Sequence, residues 1–256
     1  MKAKRPDFPL KSELSELQLT WMLDNHETEL ADAARHNRTH HELLLRLLRG
    51  ELDARHARAV ERCIKNAKLR DTRTLESFDF AWPAKINRDQ VKHLFTLAFM
   101  REKANVVLIG GVGLGKTHLA IALAREACQQ RMSVIFTSAA AIVNHLHEAR
   151  LHNNLPAAMR RYTRPQLAVI DELGYFPLDK VGAELLFQVF CARYETASTV
   201  ITTNRAYKDW AKTFANDATM TSAILDRVTH YCETIIIEGP SYRMKNRLEQ
   251  AREISA

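Results

Sequence analysis

The residues Gly110-Gly111-Val112-Gly113-Leu114-Gly115-Lys116-Thr117 follow the spacing G-x-x-x-x-G-K-S/T that cradles phosphate groups. The glycines let successive backbone N–H groups turn inward around phosphate oxygens, and a helix opening at His118 would aim its positive N-terminal end at the same point. On this reading Gly110 to His118 contact a nucleotide, Lys116 reaches its β- and γ-phosphates, and the Thr117 hydroxyl ligates Mg²⁺. A second apolar run, Leu167-Ala168-Val169-Ile170, ends in Asp171-Glu172. That is where a parallel sheet delivers carboxylates to the crevice that also holds a phosphate loop. Asp171 would hold Mg²⁺ through its water shell, and Glu172, one residue further out, would polarise a water for in-line attack on the γ-phosphorus.

Three further side chains belong to the same chemistry if the chain brings them close. Asn204 follows the β-branched run Thr199 to Thr203; its amide has both donor and acceptor and could bridge an attacking water to the γ-phosphate, although Asn at a strand end is also a common turn former. Arg227 sits near the end of a helical pattern, where a guanidinium could cross a subunit boundary toward a neighbour's γ-phosphate, and Arg243 could approach the nucleotide of its own subunit. Spacing alone allows ordinary ion pairs for both arginines.

The elements needed to position these groups are legible as an alternation of strands and helices, which implies a parallel sheet covered on both faces. Strands are expected at 106–109, 134–137, 167–170, 199–203 and 234–237, and helices at 87–101, 118–130, 139–149, 182–196, 210–214 and 221–229. Before them, residues 9 to about 70 have helical periodicity and read as a small all-α domain. Its last helix, about Glu51 to Leu69, puts Arg55, Arg58, Arg62, Lys65 and Lys68 along one side; such a stripe is either a solvated face or a nucleic-acid grip. Between the two regimes, Leu75, Phe78, Phe80 and Trp82 mark an extended connector whose aromatics wall an adenine pocket or simply pack on the core.

A chain of 256 residues accommodates one α/β nucleotide-binding domain and a small appendage. The balance of 46% hydrophobic and 26% charged residues excludes wholesale disorder, and the net charge of +7 favours a polyanionic partner. Cys63, Cys128, Cys191 and Cys232 are spread too widely for a zinc motif or a disulfide framework and read as reduced thiols. The first seven residues lack an apolar leader, and no run approaches the roughly 18 apolar residues of a membrane span, so a cytoplasmic location is expected.

The order of the Gly110–Thr117 loop, Asp171-Glu172-Leu173-Gly174-Tyr175-Phe176-Pro177-Leu178-Asp179, Thr203-Asn204-Arg205, Leu225-Asp226-Arg227 and Ser241-Tyr242-Arg243 resembles the IstB family of insertion-sequence transposition helpers. These are AAA+ ATPases of the group that contains the helicase loader DnaC and the initiator DnaA. The likeness runs over nearly the whole chain; the phosphate loop is widely shared, whereas the acidic strand end continuing into Leu173 to Leu178 is far more specific. The resemblance implies Lys116 and Thr117 as Walker A residues, Asp171 and Glu172 as Walker B, Asn204 as sensor 1, Arg227 as the trans-acting arginine finger and Arg243 as the sensor 2 arginine. It implies ATP and Mg²⁺ as cofactors and a DNA-stimulated ATPase that oligomerises with ATP at subunit interfaces. Such an assembly would form on double-stranded DNA, bend it and present it to a DDE transposase of the IstA type. A helical element beyond the second strand contacts DNA in this group, which here would be residues 139–165 with Arg150, Arg160, Arg161 and Arg164.

The expected fold is therefore an α/β AAA+ P-loop domain at 89–256, a linker at 72–88 and a helical N-terminal domain at 1–71 that binds DNA or a partner. Only thirteen residues follow Arg243, so the lid is expected to be minimal, which argues against a DnaA-type initiator. A DnaC-like replicative helicase loader shares the entire ATPase site and is the nearest alternative. A small-molecule kinase would need Asp171 but neither Glu172 nor Arg227, and a nucleotide-binding scaffold would lack turnover.

Overall fold

The computed structural model describes residues 10–69 and 72–245. The expectations about the first seven residues and about the lid beyond Lys245 lie outside the described residues. Compactness divides the chain between Arg62 and Cys63. In the first unit lie α1 (Leu10–Glu16), α2 (Thr20–Arg35) and most of α3 (His40–Asn66). The second contains α4 (Arg88–Leu94), α5 (Ala98–Arg101), β1 (Asn105–Gly110), α6 (Lys116–Gln129), β2 (Val134–Ser138), α7 (Ala139–Leu151), α8 (Leu155–Thr163), β3 (Leu167–Leu173), α9 (Lys180–Arg193), β4 (Ser198–Thr203), α10 (Ala218–Thr229) and β5 (Cys232–Ile237).

All five strands are parallel, in the order β2-β3-β4-β1-β5. Helices cover both faces, so the strands are continuous apolar or β-branched runs rather than alternating ones. The period of two still sorts the side chains. Val106, Leu108, Leu167, Val169 and Val200 face α4, α5 and α6, while Val107, Ala168, Ile170 and Ile201 face α7, α9 and α10. On α6 the buried stripe Leu119, Ala120, Leu123, Ala124 and Ala127 recurs at three and four, and each fully buried leucine contributes about 1.5–3 kcal/mol. Because β4 is inserted between β1 and β3, the carboxyl ends of these three strands form one edge; the phosphate loop, the acidic pair and the end of β4 meet there.

Helix starts follow local chemistry. Ser138, Asp179 and Asp217 each accept a backbone N–H three residues ahead, from Ala141, Gly182 and Met220, capping α7, α9 and α10. Arg193 is 2% exposed at the end of α9 and donates to Thr199 Oγ1 and to the carbonyls of Tyr162, Pro165 and Ser198. Burial lowers its pKa to about 10, which leaves it charged at neutral pH, and its donors fix the turn between α8 and β3.

Three local features differ from the sequence expectation. The helix expected at 87–101 is two, because Leu97 adopts φ 55° between α4 and α5. Residues 207–212 form a 3-10 helix where an α-helix at 210–214 was expected. Residues 139–165 contain a second helix, α8, opened by a proline in its first turn. For the segment 72–88, where two uses stood open, Phe78 is buried, with Leu75, Phe80 and Ile86 packed against the same core, which bears out the packing one.

In the N-terminal unit, α3 runs unbroken through Gly50, where a Cβ would stand 2.2 Å from the Trp21 ring. Glycine is kept here for close approach rather than for a turn. The next residue, Glu51, is 3% exposed and accepts hydrogen bonds from the N–H groups of Trp21 (2.8 Å) and Met22 (3.2 Å) at the start of α2. Arg55 Nε (3.0 Å) and Arg58 Nη2 (3.1 Å) also donate to it. Burial raises the Glu51 pKa, but the Met22 amide, Arg55, the Trp21 amide and Arg58 outweigh it and hold the carboxyl below its ordinary 4.5. A carboxylate depressed in the folded state stabilises above its unfolded pKa, and this stabilisation is lost as pH falls through the folded one. Glu51→Gln is therefore expected to cost the helical unit about 1–3 kcal/mol at pH 7. Circular-dichroism melts should show the gap to the parent protein narrowing below pH 4.5.

Candidate active site

The phosphate loop leaves β1 and turns at Gly113 (φ 77°) and Gly115 (φ 85°), both in the left-handed region. A Cβ at Gly115 would lie 2.5 Å from the Phe78 ring, and one at Gly113 would lie 2.1 Å from Ser241 Oγ, so space as well as backbone angle selects glycine. Behind the loop Lys116 is 4% exposed and donates to the Gly111 carbonyl at 2.7 Å. Burial lowers its pKa; Asp171 counters this, Arg243 adds to the lowering and Glu172 counters it again. Lys116, Arg243, Asp171 and Glu172 thus share one electrostatic neighbourhood.

Asp171 is 7% exposed, and its Oδ1 accepts from Thr117 Oγ1 at 3.0 Å and, over a shorter contact, from Thr202 Oγ1. The Thr202 hydroxyl in turn accepts the Glu172 N–H at 2.9 Å. The β3–β4 register shifts between Ile170 and Leu173, and Glu172 takes φ 60° within that irregularity. A non-glycine residue in the left-handed region is held there only by its surroundings; here the Thr202 hydrogen bond and the exposure of the side chain present Glu172 to solvent at the edge.

The Thr117 hydroxyl and the Asp171 carboxylate are hard oxygen donors already within contact of each other, which fits Mg²⁺, an ion that keeps several waters and takes other ligands from phosphate. Among the described residues no group of three or more His, Cys, Asp or Glu forms a metal cage. His118 Nε2 lies 2.8 Å from the Thr74 carbonyl and 3.2 Å from Ser77 Oγ, with its ring edge-on to Phe78. These contacts anchor the first turn of α6 to the segment before β1.

Asn204 is exposed immediately after β4, on the same edge as Thr117 and Asp171. Arg243 lies in a 3-10 turn, Tyr242–Met244, that is fastened to the loop by the Tyr242 N–H donating to the Gly113 carbonyl at 2.9 Å. Arg227, by contrast, donates to Ala223 O at 2.8 Å and lies over the Phe187 ring at 5.5 Å. It lines an open groove with Ala218, Thr219, Ser222, Ala223 and Asp226. The basic candidates Arg55, Arg58, Arg62, Lys65, Lys68, Arg150, Arg160, Arg161 and Arg164 are all exposed, and Arg55 and Arg58 are in addition paired with Glu51.

Sequence reading missed Thr202 altogether, because a threonine inside a β-branched strand carries no mark of hydrogen bonding to a carboxylate on the next strand. It also missed Arg205, whose Nε donates to Gly174 O at 2.6 Å and fixes the turn after the acidic pair. Trp82 was read as part of the connector; its indole N–H donates to Pro240 O at 3.0 Å and its ring packs edge-on to Tyr242, bracing the turn that carries Arg243.

Residues 12–250 match the family described as IstB-like ATP binding protein. The candidate ATP-binding protein of insertion sequence IS21 from Pseudomonas aeruginosa is 36% identical over 234 residues, 91% of this chain and 88% of its own. The corresponding candidate of insertion sequence IS5376 from Geobacillus stearothermophilus is 34% identical over 222 residues, covering 86% and 88%. Among solved structures, AMPPCP-bound DnaA from Aquifex aeolicus superposes with a TM-score of 0.56 at 20% identity, over 72% of this chain and 56% of that one. The DnaC helicase loader gives 0.53 at 20% identity, over 65% of this chain and 97% of that one. At such identities the likeness is one of fold, and the chain spans about half the length of that DnaA.

Thr202→Val keeps the strand shape but removes both the donor to Asp171 and the acceptor for the Glu172 N–H. It is expected to destabilise the protein by about 1–3 kcal/mol, with Thr202→Ser restoring most of the loss. Thermal unfolding of the two variants, side by side, checks this; equal melting of Thr202→Val and the parent would show that the hydroxyl is dispensable.

Proposed function

The chain belongs to the IstB-like ATP binding protein family, and from that premise we propose that it is a DNA-stimulated ATPase that assembles on double-stranded DNA and presents it to a DDE transposase of the IstA type. The observation that carries the reading is the convergence of Lys116 and Arg243, two cations, beside the Thr117–Asp171 pair at the carboxyl edge of the sheet. Like charges brought together at a partly buried point are stabilised by a polyanion placed between them.

In this reading the loop amides from Gly111 to Thr117 and the Lys116 ammonium hold the β- and γ-phosphates of ATP. Thr117 and Asp171 hold Mg²⁺, which neutralises phosphate charge when bound. Glu172, held outward by its backbone, accepts a proton from the attacking water, and Asn204 orients that water. Arg243 stabilises charge on the γ-phosphate within its own subunit. Arg227 lines a groove with residues 218–226, none of them from the phosphate loop, and acts on the nucleotide of a neighbouring copy, so that turnover requires a homo-oligomer. The DNA grip is assigned to the exposed Arg62, Lys65 and Lys68 and to Arg150, Arg160, Arg161 and Arg164. Arg55 and Arg58 serve the Glu51 cluster first and contribute charge from its rim. The helical part, residues 1–71, engages DNA or the transposase, residues 72–88 link it to the ATPase domain at 89–256, and the whole works in the cytoplasm.

Lys116→Ala is expected to reduce ATP turnover by about 10²–10³-fold and to abolish nucleotide-dependent assembly on duplex DNA. Glu172→Gln should bind ATP and assemble but fail to turn over, leaving long-lived complexes. If six or more phosphates are neutralised, raising salt from 50 to 200 mM should weaken duplex binding by about 10³-fold or more. ATPase assays and gel-shift titrations of the three proteins check these outcomes. DNA binding that is indifferent to both ATP and salt would defeat the proposal.

A further inference from the structure

Cys63 and Cys128 are 65 positions apart in the chain, yet their Sγ atoms lie 2.7 Å from each other. Cys63 occupies the last turn of α3 and Cys128 the last turn of α6. Both are free thiols; Cys63 is half-buried and Cys128 is fully buried. Cys63 Sγ also lies 3.0 Å from the Met132 carbonyl, the start of the path into β2. A disulfide needs the sulfurs at about 2.05 Å, so closing this pair requires a shift of roughly 0.7 Å. The candidate site described above uses neither cysteine.

We infer that Cys63 and Cys128 form a reversible dithiol–disulfide pair, oxidised by hydroperoxides, that ties the end of α3 to the end of the helix whose first residues are Lys116 and Thr117. The accessible Cys63 is the attacking group. Its thiolate displaces hydroxide from hydrogen peroxide; the S–O bond forms as the O–O bond breaks, and the hydroxide leaves as water with the proton Cys63 released. The Cys128 sulfur then attacks the Cys63 sulfenic acid; the S–S bond forms, the S–O bond breaks, and the departing hydroxide takes the Cys128 proton. Two thiols and one peroxide give one disulfide and two waters, and a dithiol reductant reverses the change. Burial and the neighbouring Cys63 push the Cys128 thiol well above the ordinary cysteine range, so it stays protonated until the sulfenic acid is beside it. That orders the steps. The closed loop contains the connector, β1 and the phosphate loop, so the bond would restrain the segment that holds the nucleotide.

The test uses the full chain treated with hydrogen peroxide, alkylated, and digested without reduction. The expected result is a linked peptide joining Cys63 to Cys128, with titratable thiols falling from four to two. The melting temperature should rise by roughly 9–17 °C for a loop of this length and return to its starting value in dithiothreitol. A Cys191→Ser/Cys232→Ser double variant should behave like the parent. Cys63→Ser should lose both linkage and thermal shift, while Cys128→Ser should leave a dimedone-reactive sulfenic acid at Cys63. Sulfinic or sulfonic acid at Cys63 with no linked peptide, or dimers joined through Cys191 or Cys232, would overturn the inference.

Discussion

The Asp171 carboxylate, accepting hydroxyls from Thr117 on α6 and Thr202 on β4, is the contact on which the site depends. A carboxylate that is 7% exposed is costly unless its oxygens are satisfied. Two hydroxyls on one oxygen, with the buried Lys116 nearby, supply that satisfaction. The same two hydrogen bonds set the spacing between the start of α6, the end of β3 and the end of β4. Strand order makes this possible, since β4 lies beside β3 and can hand the Thr202 side chain to the acidic pair.

Around that contact the structure separates rigid parts from presented ones. Lys116, Asp171 and Thr202 are buried and their partners are all within the protein. Glu172, Asn204 and Arg243 are exposed, the first two at the ends of β3 and β4 and the third in the turn fastened to the loop. The bulge at Asp171–Glu172 achieves the division within two residues: a regular strand would place Glu172 opposite to Asp171 across the sheet, whereas φ 60° with its N–H on Thr202 turns it outward at the edge. An exposed carboxylate is thus placed beside a buried one by a backbone whose unusual φ is held by one hydroxyl.

Much of this was legible in the sequence because its signals are local. The Gly110–Thr117 spacing, the apolar run into Asp171-Glu172 and the β-branched run before Asn204 each lie within eight or nine residues, and each strand was found to within a few residues of its ends. What escaped depends on distance along the chain. Thr202 matters because of a strand 31 residues earlier, Gly50 because of Trp21, and Cys63 because of Cys128. Arg55 and Arg58 read as a basic stripe since helical periodicity places them together, and they stay exposed, yet Glu51, one turn before Arg55, pairs with both. Periodicity identifies a shared face but not what another element brings to it.

The segment at 72–88 illustrates the same limit with a consequence for the site. Alternating aromatics made it read as a connector with two uses left open; Phe78 is core, and Leu75 and Phe80 pack against it. Phe78 lies against Gly115, the residue at which the phosphate loop becomes α6, and Thr74 and Ser77 hold His118 in the first turn of that helix. Trp82 reaches the other side of the loop through Pro240 and Tyr242, whose N–H binds the Gly113 carbonyl. Gly113 and Gly115 are the two loop positions with positive φ, and each is packed so closely that a methyl group would not fit. Close-packed groups of this kind do not deform gradually; they move together or not at all. A displacement of residues 74–82 must therefore reposition the loop amides, which makes the segment just before the ATPase sheet a structural part of the phosphate site.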